Sequence, residues 1–143
     1  MKFRLSKNDA ETIKMAVSAA EAKTSAEIKV IVHRYSWDDI RDAARRLFYR
    51  HGLQNTPDRS AVLIFVVLTN QQFLIFGDKG ISQLVGDGFW TSIRDEIGAE
   101  IAANGLPKAI IQGVHRIGDS LAKHFPIEQK PRNYLDDQVL RDD

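Results

Sequence analysis

The chain has 143 residues, 43% hydrophobic and 27% charged, which fits one soluble globular domain with its own core rather than a disordered or fibrous chain. With 20 basic and 19 acidic residues the net charge is +1, so no global field draws nucleic acid or an anionic membrane. There is no cysteine, which excludes disulfides, thiolate nucleophiles and cysteine-based zinc sites.

The N-terminus, MKFRLSKNDAE, turns polar too early for a signal peptide, and the longest apolar run, Ala61–Leu68, is far too short to span a bilayer. A cytoplasmic protein without a membrane span is expected. From Ser6 to about Lys23 the spacing predicts a first helix, with Ser6 as cap and Asp9 in the capping-box position. Ile13, Ala16, Val17 and Ala20 fall on its buried stripe. Thr24-Ser25 breaks it, and Glu27–His33 alternates as a strand with Ile28, Val30 and Val32 on one face.

Ser36 is expected to open a second helix that buries Ile40, Ala43, Ala44, Leu47 and Phe48 and closes at Gly52. Its arginines, Arg41, Arg45, Arg46 and Arg50, are interleaved with Asp38, Asp39 and Asp42, which predicts a solvated salt-laced face, with Asp42 and Arg46 spaced to pair. Nucleic acid is therefore not an expected partner. Trp37, at the start of this helix, is a candidate contact residue.

In Ala61–Leu68, seven residues are aliphatic and the eighth is Phe65, the pattern of a strand covered on both faces. A turn through Thr69–Asn70–Gln71 leads to a third strand ending at Gly77, followed by Gly77-Asp78-Lys79-Gly80. A short helical piece over Ser82–Val85 precedes a fourth helix, for which Asp87 is the expected cap. Asn104-Gly105 stops that helix, and Pro107 lies in the first turn of a fifth. Pro126 closes the domain, 1–126, and the last 17 residues, 127–143, hold five acids and three bases and read as a partly ordered tail. The order of elements predicts an α/β fold, a three-layer α/β/α sandwich in which helices cover both faces of a small mixed sheet.

Four stretches together, Thr24-Ser-Ala-Glu27-Ile28, Val62-Leu-Ile-Phe-Val, Gly77-Asp78-Lys79-Gly80-Ile81, and Gly86-Asp87 leading to Trp90, resemble the TPM domain family. The resemblance runs from about Ser6 to Pro126. It implies an α/β/α sandwich, calcium binding at an acidic end of the sheet, and phosphatase activity like that of a thylakoid-lumen member. Thr24-Ser25 departs from the family's frequent Thr-Gly.

Topology points to the same place independently. If the first two strands are parallel and the third runs back, one sheet end collects Thr24, Glu27, Arg59, Ser60 and Asp78, and Asp87 can fold over it. Glu27, Asp78 and Asp87 with backbone carbonyls would suit a hard divalent cation, calcium before magnesium, because loops supply irregular oxygen geometry. Asp78 as a turn residue and Asp87 as a helix cap is the competing reading. The four histidines, His33, His51, His115 and His124, have no ligand spacing. No P-loop and no nucleophile elbow is present.

Two functions follow. One is a metal-dependent phosphomonoesterase, with Arg59 orienting phosphate and a metal-activated water as nucleophile. The other, preferred here, is a monomeric accessory module that binds a partner protein and keeps the acidic end as a cation site. Catalytic residues are not assigned.

Overall fold

In a computed structural model of the chain, residues 3–127 are described. The expected tail lies outside the described residues except for Ile127. The fold is the expected three-layer sandwich. Helix α1 spans Lys7–Glu21, strand β1 Ile28–His33, and helix α2 Ile40–Arg50. Strands β2 and β3 cover Val62–Val67 and Gln72–Gly77. Helices α3, α4 and α5 cover Lys79–Val85, Asp87–Asn104 and Leu106–His124.

The sheet order is β1-β2-β3, with β1 parallel to β2 and β3 antiparallel to it. Every residue of β2 is buried, as its unbroken apolar run requires of a central strand covered on both faces. Alternation divides the core. Val62, Ile64 and Val66 face α1, α4 and α5, whereas Leu63, Phe65 and Val67 face α2, where Phe48 stacks on Phe76 with ring centroids 4.7 Å apart. Gly113 and Gly118 let α5 come close to its neighbours: an added Cβ would meet Ile97 and Ala20 respectively.

The capping box at Ser6 forms in full, with the Asp9 N–H donating to Ser6 Oγ and the Ser6 N–H donating to Asp9 Oδ2. Two expected helix starts are corrected. Asp39, not Ser36, caps α2 by accepting from the Arg41 N–H at 2.8 Å. Gly86, not Asp87, is the cap position of α4, and Asp87 is the first helical residue, where its charge favours the positive end of the dipole. The α2 face is salt-laced, but Arg46 pairs with Asp38 at 2.6 Å and Arg41 with Asp39 at 3.5 Å, rather than Arg46 with Asp42. Asp38 precedes the helix, outside its regular turns, and reaches Arg46 from eight residues away.

Thr24 ties the chain ends together. Its fully buried hydroxyl is within hydrogen-bonding distance of the Leu121 and Phe125 carbonyls and accepts from the Ala26 N–H, while Thr24 and Pro126 form an isolated antiparallel bridge. The Thr-Ser pair before β1 thus docks the end of α5 onto the entry to the sheet.

Candidate functional site

The hairpin register fixes what meets at the expected sheet end. Val62 lies opposite Gly77, so the residues just before β2 and just after β3 continue as neighbours. The Asp78 N–H donates to the Ala61 carbonyl, and the Gly80 and Ile81 N–H groups both donate to the Arg59 carbonyl. Gly80 is required here: a Cβ on it would lie 1.9 Å from the Asp58 carbonyl oxygen and 2.6 Å from that of Arg59. Arg59 itself holds a left-handed backbone, φ 51°, unusual for a residue with a side chain and found where surrounding contacts enforce it.

That backbone aims the guanidinium at Asp78. Arg59 Nε donates to Oδ2 at 2.6 Å and Nη2 to Oδ1 at 2.8 Å, a two-point contact of the kind a planar fork makes with a carboxylate. Oδ1 also accepts the Lys79 N–H at 2.8 Å, so Asp78 caps α3 as well. Asp78 is 3% exposed, and all its partners are internal. The Asp78 side chain, by hydrogen bonding first and by charge as well, holds the Arg59 guanidinium above its ordinary pKa, against the opposing effect of burial.

A second clamp closes the same turn. Ser82 Oγ donates to the Gly77 carbonyl and accepts from Trp90 Nε1, both at 3.1 Å. The Trp90 ring lies so close over Gly77 that an added Cβ would be 2.2 Å from it. The Gly-Asp-Lys-Gly stretch and Trp90 are therefore one packed unit rather than separate features.

The residues expected to bind a cation are placed unequally. Glu27 and Asp78 sit at the same sheet end, since the Glu27 carbonyl accepts the Val62 N–H and the Ala61 carbonyl accepts that of Asp78. Glu27 and Asp87 are exposed, and Asp78 is buried beneath Arg59. Among the described residues no group of three or more His, Asp or Glu is close enough to hold a metal ion. As arranged, the three carboxylates do not converge, and the one at the sheet end already has a cationic partner. Two intervening segments explain this. Arg59 is carried on the turn before β2 and reaches Asp78 first, while α3 separates Asp87 from Asp78. Spacing along the chain could not reveal the Arg59–Asp78 pair, 19 residues apart, but hairpin register does.

Elsewhere, Trp37 is 91% exposed and stands edge-on to Tyr35, with ring centroids 5.7 Å apart. His33 packs edge-on against Phe65, and His124 contacts the Ser120 carbonyl within its own helix. Both histidines therefore have structural neighbours. No helix among the described residues is long and apolar enough to cross a membrane.

A TPM domain profile matches residues 4–120. No curated protein matches the chain. Among solved structures, the BA42 protein of the psychrophilic bacterium Bizionia argentinensis is similar over 87% of this chain and 86% of its own, with 33% identity and a TM-score of 0.80. The N-terminal domain of a P. gingivalis protein superimposes with a TM-score of 0.67 at 18% identity, covering 85% of this chain and 78% of that one. The N-terminal domain of the cg2496 protein of Corynebacterium glutamicum does so at 0.62 and 13%, covering 82% and 74%. These last two share the fold.

Proposed function

The chain belongs to the TPM domain family, and from that premise we propose that it acts as a non-catalytic accessory module that binds a partner protein. One observation carries this reading. Asp78, the carboxylate around which hydrolytic chemistry would have to be built, is buried with both oxygens held by Arg59 and one also by the Lys79 N–H. A carboxylate so engaged is a fastener for the turn, poorly placed to orient water or phosphate. Arg59, which a phosphatase would need for its substrate, is held by the same pair.

Calcium enters the proposal only by exchange. A cation drawn to Glu27 and Asp78 must displace the guanidinium, so uptake is weak in the intact module and coupled to release of the turn. The competing phosphatase reading is tested with p-nitrophenyl phosphate, comparing the native protein with Asp78→Asn, with and without calcium or magnesium, below the melting temperature of both. Equal background rates are expected throughout. Hydrolysis above background that Asp78→Asn removes would sink the accessory reading.

A further inference from the structure

Strand β1 is an edge, hydrogen-bonded only to β2 among the described strands. Its phase is fixed because the Glu27 and His33 carbonyls accept from the Val62 and Leu68 N–H groups. Glu27, Lys29, Ile31 and His33 therefore turn their backbone groups toward β2, and Ile28, Val30 and Val32 turn theirs outward. The Ile28 N–H is taken by Glu21 Oε2 at 2.8 Å, which ends the open row at that side. The N–H and C=O groups of Val30 and Val32 have no partner among the described residues. Edges are usually blunted, for example by proline or a bulge, because such a row templates another strand. Here β1 reads IKVIVH: it has no proline, and the charge of Lys29 is its single guard.

Beside this row a groove of about 410 Å³ runs between α1 and the edge, with Leu5, Ile13, Val17, Val30 and Val32 in its lining. Lys14, Lys29, Glu21 and Glu27 line it too, two charges of each sign. Lys29, a residue of the edge strand itself, forms no ion pair among the described residues, so its charge is open to a residue placed directly opposite it. Backbone, groove and charge together define an occupant. We infer that β1 takes up an extended peptide segment of a partner as a fourth strand. Directly opposed residues share a sheet face, so positions facing Val30 and Val32 are apolar and enter the groove, while the position facing Lys29 is acidic. An antiparallel segment of the form Val-Thr-Val-Glu meets all three requirements.

This inference rests on the partner-binding reading above and names the class of partner. The test titrates the ¹⁵N-labelled full chain with acetyl-Ser-Val-Thr-Val-Glu-Ser-amide. Saturating shifts at the Val30 and Val32 amides are expected, with a Kd on the order of 1 mM for so short a strand. The same peptide N-methylated at both valines should leave those amides in place. Val30→Pro removes an outward N–H that no ladder bond uses, a position where an edge strand tolerates proline, and should weaken binding at least about tenfold. Should that variant fail to fold, Lys29→Glu keeps the backbone and should weaken binding of the Glu-bearing peptide. Unmoved β1 amides at about 5 mM peptide would overturn the inference. So would equal shifts from the N-methylated peptide, which would mean groove contact without strand pairing. Broadening of the same amides with protein concentration alone would make a second copy the occupant and overturn it too. A peptide failure leaves the hydrolysis result standing, whereas Asp78-dependent hydrolysis would sink the accessory reading without altering the edge.

Discussion

Phe65→Ala is expected to cost about 3–5 kcal/mol. Phe65 lies mid-way along the central strand, fully buried, and fills the layer between the sheet and α2 with Leu47, Phe48 and Leu53. It is paired with Ile31 on one side and Leu74 on the other, so neither neighbouring strand can move in to fill the void. Urea unfolding measures it: the midpoint should fall while the slope stays near the native value, because the surface exposed on unfolding hardly changes. For a domain whose whole stability is about 5–15 kcal/mol, such a loss is a large fraction. Met15→Ala, at an exposed helix position, should stay within about 0.5 kcal/mol and serves as control.

Gly80→Ala is expected to be nearly as severe, about 3 kcal/mol, although it adds a single methyl group. The obstacle is backbone, the Asp58 and Arg59 carbonyls, and no rotamer change can clear it. Relief requires the turn before β2 to retreat, which would draw Arg59 away from Asp78 and break the two N–H bonds to the Arg59 carbonyl. Gly88→Ala makes the comparison sharp. A Cβ at Gly88 would have no atom within 4 Å, and the residue sits in the first turn of α4, so alanine should be neutral or stabilising by up to about 1 kcal/mol. Thermal melts of the two variants side by side separate a steric lock from a merely glycine-rich stretch.

Much of the fold was legible because its signals are strong and local. Eight apolar residues in a row, 61–68, have no good exposed solution, and Ser6 with Asp9 three residues on makes a cap that needs nothing from the rest of the chain. The start of α2 was less legible because Ser36, Asp38 and Asp39 all offer cap chemistry. Asp39 wins by accepting the Arg41 N–H, while Ser36 Oγ points at the Asp38 carbonyl. Asp87 went the same way, since Gly86, with φ 81°, makes the bend into α4 that a capping aspartate was expected to make. The candidate site was half legible. Topology brought Glu27, Arg59 and Asp78 to one end of the sheet, as observed. What composition could not disclose is that Arg59 takes a left-handed backbone and so turns its charge inward onto Asp78. Three carboxylates considered alone repel and call for a metal; a buried one already paired with a half-buried arginine does not.

Melting temperature against calcium, in the native protein and in Arg59→Gln, tests that account most directly. If the guanidinium holds the place a cation would take, Arg59→Gln lowers the starting melting temperature, frees Asp78 Oδ2 and leaves Oδ1 with the Lys79 N–H alone, and gains more from millimolar calcium than the native protein does, since a ligand that binds the folded state more tightly stabilises it more. A native protein that gains as much as Arg59→Gln, or more, and loses that gain in Asp78→Asn, would show that calcium reaches Asp78 without competition and would contradict the account.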